Sequence, residues 1–220
     1  MERLSLQQYL GEVVWPAFVT TIQVMFFTVL ISFFIGMIIA VILHVTRPEG
    51  LRPNRIVYRT IDVLINLIRS FPFVILMVSL IPVTRFLTGS SIGVKAAIFP
   101  LCVSMSPYMG RLIQSHMDEV SREVVEAAKS FGASTFQIIW HVIIVESIPG
   151  IATVVCFATV AALGATTAAG MVGAGGLGNI AIRYGYNNFN DQIMYSTVAI
   201  LVVLVQIIQL IGNAVYKKLK

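Results

Sequence analysis

Three long stretches of this sequence contain no formally charged residue: residues 13–46, 147–182 and 192–216. Each is longer than the roughly 20 residues that an α-helix needs to cross the ~30 Å hydrocarbon core of a bilayer. Two further apolar segments hold Asp62 and Lys95 near their ends, where a charged side chain can reach the membrane surface. We therefore predict an all-α membrane protein with five transmembrane helices, at residues 15–43, 60–83, 94–117, 147–172 and 192–215.

The composition favours a membrane protein over a soluble one. Apolar residues make up 57% of the chain and charged residues 11%, against about 25% charged residues in a soluble domain. This balance argues against a soluble enzyme, a disordered protein and a disulfide scaffold. The basic residues that give the net charge of +5 lie between apolar runs. This position indicates that they face a membrane surface and do not bind nucleic acid. We expect buried free thiols and packed or interfacial imidazoles, without metal-ligand spacing, at Cys102, Cys156, His44, His116 and His141.

Lysine and arginine residues predict the orientation, because they favour the cytoplasmic side of a membrane. The loop 44–59 carries four arginines and the tail 217–220 carries three lysines. With the N-terminus outside, five spans place ten basic residues inside and four outside, whereas four or six spans would leave the tail outside. We predict an external N-terminus, a cytoplasmic C-terminus and a short interfacial lead-in at residues 1–12.

The segment 118–146 interrupts the hydrophobic pattern between the third and fourth predicted spans. Acidic residues crowd its start, as suits the positive end of a helix. Gly132 can adopt the left-handed conformation that closes a helix, and Ser134 and Gln137 have the spacing of a capping box that opens another. We predict two short helices joined by a sharp turn on the cytoplasmic face. Such a structure is either a docking feature for another protein or an ordinary connector.

The fourth predicted span is rich in small residues. All but two of residues 158–170 are Ala, Gly or Thr. Small side chains let helices approach closely in a membrane, or they leave room for a translocation path at a dimer interface, and the sequence leaves both readings open. In the second case Thr166 and Thr167 could offer hydroxyls to a zwitterion, and Met171 could act as a gate.

Asp62 and Arg69 lie seven residues apart and therefore on one face of the second predicted span. Ionisable residues inside a membrane are functional candidates, which makes Arg69 a candidate for the translocation path. Alternatively the charges are structural, since Arg59 lies about one turn from Asp62 and could pair with it. Pro72 is expected to kink this helix, because proline has no backbone N–H.

Residues 173–178 match G-x-G-x-x-G, the pattern of a dinucleotide-binding turn. That pattern has its meaning after a β-strand and at the start of a helix, whereas here it follows the apolar run of the fourth span. We predict a flexible, glycine-rich turn on the outer side. The sequence contains no G-x-x-x-x-G-K-[ST] phosphate-binding loop, so any dependence on ATP must come from a separate subunit.

One string in the 118–146 segment resembles a known family. Glu126-Ala127-Ala128, followed by three residues and Gly132, is similar to the EAA loop of ABC importer permeases. The family pattern continues with I-x-L-P, and residues 142–145 match its aliphatic positions but lack the proline. Further strings resemble the methionine-uptake permeases, at residues 46–48, 58–60, 69–73, 91–93 and 173–178.

The resemblance implies that the loop inserts into a groove on an ATP-hydrolysing subunit and carries its motion to the membrane helices. The residues that it implicates in this coupling are Glu126, Ala127, Ala128, Ser130, Gly132, Ala133 and Ser134.

The resemblance also implies the partners. It indicates a non-catalytic permease in the bacterial cytoplasmic membrane, with two ATP-binding subunits that hold ATP and Mg²⁺, and an extracytoplasmic substrate-binding protein. We expect a homodimer, because five spans enclose no roomy path, and no cofactor or metal on this chain. Methionine is the implied substrate. The alternatives are another amino acid, a methionine derivative or a small peptide, and, in other classes, an ion-coupled secondary transporter or a membrane oxidoreductase.

Overall fold

The computed structural model describes residues 9–219, with side chains described for residues 11–170 and 173–219. All regular structure in this part of the chain is helical. Residues 1–8 of the predicted lead-in and Lys220 of the predicted tail lie outside the described residues. After a π-helical segment at Tyr9–Val14, the helices are α1 (Trp15–Thr46), α2 (Arg55–Ser70), α3 (Phe73–Ser79), α4 (Ile81–Thr88), α5 (Val94–Asp118), α6 (Arg122–Ser130), α7 (Thr135–Ala169), α8 (Leu177–Ile180) and α9 (Asp191–Leu219).

Four of the described helices are long and apolar enough to cross a membrane. They correspond to the first, third, fourth and fifth predicted spans. Helix α7 ends at Ala169, shortly before the predicted end at residue 172, and a π-helical turn at Gly170–Ala174 follows it. A fifth crossing exists if α2 and α3 count together as one broken span. The four continuous helices are Gly11–Thr46, Val94–Asp118, Thr135–Ala169 and Asp191–Leu219.

The second predicted span, 60–83, is not one helix. The expected kink at Pro72 is a complete break, across which α2 and α3 differ in direction by 101°. Phe71 has extended backbone angles (φ −75°, ψ 131°), because the ring of a following proline disfavours the helical region for the residue before it. The remainder of the predicted span is divided between α3 and α4.

Helix α5 lies at the centre of the bundle, and its most extensive packing is against α1. Two glycines permit this approach. A Cβ atom on Gly36 would lie 3.0 Å from the backbone nitrogen of Gly110, and one on Gly110 would lie 2.7 Å from Cγ2 of Ile39. Around this crossing the side chains of Met109 and Ile113 are fully buried. Helix–helix contact in a membrane depends on such close packing, since lipid provides no hydrophobic driving force between helices.

The glycine-rich segment 173–178, which the sequence predicted to be a flexible turn, is packed against two helices. Gly176 and Gly178 are buried, and the backbone N–H of Leu177 donates a hydrogen bond to Oγ1 of Thr21 on α1 at 2.9 Å. A Cβ atom on Gly178 would lie 2.4 Å from Cα of Thr167. The glycines therefore allow this segment to lie directly on the end of α7.

We expect Gly110→Ala to destabilise the bundle and Gly164→Ala to leave it at least as stable as the parent. The new methyl group at position 110 would overlap Ile39, and overpacking costs about 1–3 kcal/mol. A Cβ atom at position 164 would meet nothing within 4 Å, so this change only gains about 1 kcal/mol of helix propensity. Thermal unfolding of the purified variants in detergent measures the difference. Equal midpoints would contradict the packing argument.

Candidate functional site

The turn in the 118–146 segment has the geometry that the sequence predicted. Helix α6 ends at Ser130, and Gly132 then adopts a left-handed conformation with φ +81°. The N–H of Gly132 donates to the carbonyl of Lys129 at 2.9 Å, and the N–H of Ala133 donates to the carbonyl of Ala128 at 3.1 Å. These bonds satisfy carbonyl groups that would otherwise be unpaired at the end of α6.

The predicted capping box opens the next helix. The N–H of Gln137 donates to Oγ of Ser134 at 3.3 Å, and the N–H of Ser134 donates to Oε1 of Gln137 at 2.8 Å. The helix that begins here is not short, however. It continues through a π-helical stretch at Ile138–Ile143 into the rest of α7, so the second helix of the segment and the fourth predicted span form one element.

The surface of the 118–146 segment that faces the helix bundle shares a hydrophobic core with the long helices. Ile138 and Ile143 are buried, and they belong to one cluster with Ala40 of α1 and Met109 and Ile113 of α5. Because interiors are close-packed and transmit displacement, a push on the segment reaches these helices directly. Further side chains of the segment pack against the same cluster, namely Val120, Val125, Ala128, Ala133 and Ile144.

The surface of the segment that faces away from the helix bundle exposes large aromatic residues. Phe131, which precedes the turn glycine, is 91% exposed, and Phe136 is 66% exposed. Helix α6 has no buried residue. The coupling residues suggested by the EAA-like string lie on this surface: Glu126, Ala127, Ser130, Gly132 and Ser134 are exposed, and Ala128 and Ala133 are half-buried. Sequence reasoning did not single out the two phenylalanines, although their position beside the turn was visible.

A cavity lies beside α6, between this helix and the loop that joins α1 to α2. Its volume is about 350 Å³. Charged side chains of both signs line it, among them Arg47, Glu49, Arg122, Glu126 and Lys129. The exposed surface of the segment is therefore continuous with a charged recess that polar groups of another protein could enter.

A hydrogen bond and an ion pair fix the base of the segment. The carboxylate of Asp118 lies 2.6 Å from Nδ1 of His44 and 2.6 Å from an amino nitrogen of Arg47, both at the end of α1. His44 is buried, as expected for a packed histidine. Asp62 pairs with Arg111 of α5 and not with Arg59, so the suggested pairing within α2 is wrong.

Three of the four translocation-path candidates have described side chains, and each of the three has its own surroundings. Arg69 lies on an exposed part of α2. Thr166 is buried and its hydroxyl donates to the carbonyl of Leu163 on its own helix at 2.7 Å, while Thr167 packs against Gly178. The side chain of Met171 lies outside the described residues. Among the side chains that the structure describes, no hydrogen bond joins Arg69 to either threonine.

The comparisons with known proteins give the family. Residues 32–220 match the model of the "binding-protein-dependent transport system inner membrane component". The chain belongs to this family. The probable D-methionine transport system permease protein MetI of Vibrio cholerae is 44% identical over 188 residues, which cover 86% of this chain and 84% of that protein. The methionine import system permease protein MetP of Bacillus subtilis is 37% identical over 174 residues, covering 79% and 78%.

Solved structures give the same assignment. A chain of the MetNI methionine ABC transporter in an inward-facing conformation is 34% identical, with a TM-score of 0.95 over 99% of this chain and 100% of that one. An amino acid ABC transporter, 18% identical with a TM-score of 0.75 over 92% of each chain, shares the fold. The resemblance of the EAA-like string is thus confirmed. The permease is a multi-pass membrane protein and a non-catalytic subunit of an ABC importer.

We expect Gly132→Val to loosen the turn of the permease and Gly132→Asn to preserve it. Asparagine adopts the left-handed conformation far more readily than a β-branched residue, and a Cβ atom at position 132 would meet nothing within 4 Å, so the effect is one of backbone conformation alone. A strain of about 1–2 kcal/mol corresponds to a roughly 5–30-fold larger population of the opened turn. The rate of hydrogen exchange at the backbone amide of Ala133 measures this opening of the turn. Equal exchange in the two variants would contradict this account.

Proposed function

We propose that two copies of this chain form the translocation path of an ATP-driven methionine importer in the bacterial inner membrane. The observation that carries this proposal is the 118–146 segment, which is anchored in the hydrophobic core on one side and exposes Phe131 and Phe136 on the other. The methionine-transport names of the relatives support the substrate. Another amino acid or a methionine derivative is the alternative cargo.

In this proposal the chain has five spans, with α2 and α3 together forming the second. The N-terminus lies outside, and the 118–146 segment and the C-terminal tail lie in the cytoplasm. The excess of basic residues in the loop 44–59 and at Lys217 and Lys218 supports this orientation, because basic residues favour the cytoplasmic side.

Two ATP-binding subunits bind beneath the dimer and hold ATP and Mg²⁺, and an extracytoplasmic protein delivers the substrate from the other side. Aromatic side chains are common anchors of protein interfaces, and Phe131 is the most exposed one in the 118–146 segment. Closure of the ATP-binding subunits moves the two segments together. Through the shared core cluster this motion displaces α1, α5 and α7 and opens the path to the outside.

Two helices expose apolar faces that fit a second copy or lipid. In α2 the only buried residue is Ile65, and in α9 only Thr197 and Leu204 are buried. Arg69 lies on an exposed position of α2, and in this proposal it faces the path along the dimer axis. Thr167, near the end of α7, and Met171, just after it, complete the proposed lining. Thr166 does not, because its side chain is buried within the chain.

Reconstitution into vesicles with the partner ATPase tests the function. We expect methionine uptake to require ATP and the ATPase subunit, and methionine to stimulate ATP hydrolysis more than other amino acids do. Uptake by the permease alone under an ion gradient would show a secondary transporter instead.

We expect Phe131→Ala to weaken binding of the ATPase subunit by at least about thirtyfold, since loss of a central aromatic anchor costs about 2 kcal/mol or more. Phe189→Ala is the matched control, because Phe189 is also 91% exposed but lies in the loop before α9. It should bind the ATPase like the parent. Co-purification over a range of ATPase concentrations measures both, and equal effects of the two variants would argue against docking at the 118–146 segment.

A further inference from the structure

Three polar residues of α5 share one face of the helix. Arg111, Gln114 and Asp118 are spaced at three and four residues, which places them in a row along the axis. Gln114 is only 4% exposed. A buried amide that lacked hydrogen bonds would be costly, so its partners determine whether this row stabilises or strains the helix.

Both ends of the Gln114 side chain are satisfied. Its carbonyl oxygen accepts a hydrogen bond from an amino group of Arg111 at 2.9 Å, and its amide nitrogen donates to Oδ2 of Asp118 at 3.3 Å. A guanidinium can only donate and a carboxylate can only accept. The amide therefore has one allowed orientation, and a displacement of either neighbour pulls on the other through it.

The row continues into other helices at both ends. At one end Arg111 binds Asp62 of α2, which also accepts a hydrogen bond from Asn66 at 3.3 Å. At the other end Asp118 binds His44 and Arg47 at the end of α1. Asp118 is also the first residue of the 118–146 segment, so one connected network joins that segment to α2.

Helix α2 is joined to α5 by one end of this network. It has a single buried residue, Ile65, so apolar packing within the chain holds it weakly. The ion pair between Asp62 and Arg111 is its specific polar attachment to α5. Both side chains are about one quarter to one third exposed (31% and 26%), so the pair is partly shielded from the screening that weakens surface ion pairs.

We infer that Gln114 is a positioning residue that couples the 118–146 segment to α2: movement of Asp118 is transmitted through the Gln114 amide and Arg111 to Asp62, and shifts the helix that carries Arg69. The inference rests on the proposed function, because it assumes that the ATPase moves the segment. Contiguity alone does not demonstrate coupling, so the test has to measure coupling directly.

The first measurement is the number of methionine molecules imported per ATP hydrolysed by the complete transporter in vesicles. Gln114→Met keeps the size of the side chain and removes both hydrogen bonds, and Gln114→Glu keeps the acceptor for Arg111 but sets a carboxylate against Asp118. We expect the ratio to fall at least about fivefold in each, the lower end of typical coupling effects. Gln209→Met, on an exposed position of α9, is the control and should keep the parent ratio.

The second measurement is a double-mutant cycle between the ends of the network. Asp62→Asn and Asp118→Asn should act non-additively on the ratio in the parent and additively when Gln114→Met is present, since removal of the connecting residue separates the two sites. If neither Gln114 variant assembles, the double-mutant cycle of Asp62 and Asp118 in the parent protein still tests whether the two sites are coupled. Additive effects there would overturn the inference.

The outcomes separate this inference from the proposed function. A merely structural role of Gln114 would lower the amount or thermal stability of the complex while the ratio stays at the parent value, and that result overturns the inference alone. Failure of the parent complex to import methionine with ATP would overturn the proposed function and the inference with it.

Discussion

Backbone hydrogen bonding in hydrocarbon is the constraint on which the rest of this structure depends. Without water, N–H and C=O groups must be paired within the protein, so the spans are helical and every interruption needs its own solution. At the break before α3, Pro72 has no N–H to satisfy, and the N–H of Phe71 donates to the carbonyl of Ile68 at 3.3 Å. At the glycine-rich segment, the hydroxyl of Thr21 accepts the N–H of Leu177.

The 118–146 segment combines two properties that a force-transmitting element requires. Its inner residues, such as Ile138 and Ile143, share a close-packed cluster with the long helices, while Phe131 and Phe136 remain exposed. A mobile loop would absorb an applied displacement, whereas a continuous helix such as α7 carries it over its whole length. The merger of the capped helix with the fourth span, which the sequence did not suggest, therefore strengthens the mechanical reading of the segment. A segment that transmits an external movement also fits a subunit that contains no ATPase of its own.

Local features of the chain were predictable because they depend on residues within about one helical turn of each other. The charge-free runs located the long helices, Gly132 marked the turn, and Ser134 and Gln137 formed the capping box. The string from Glu126 to Ala128 also indicated the family that the comparisons establish. Nothing local marked the end of a helix after Gln137, so the predicted boundary at residue 147 had no counterpart in the structure.

The sequence by itself determined the membrane class, the helical segments and the capped turn, since composition and short-range hydrogen bonding are properties of neighbouring residues. Only the tertiary structure decided that Asp62 binds Arg111 across 49 positions and that the glycines at 173–178 are packed against neighbouring helices. Which partner a charged side chain meets depends on how each helix is rotated about its axis and where it crosses its neighbours. Those quantities are set by close contacts such as Gly36 on Gly110, between residues that are distant in the chain.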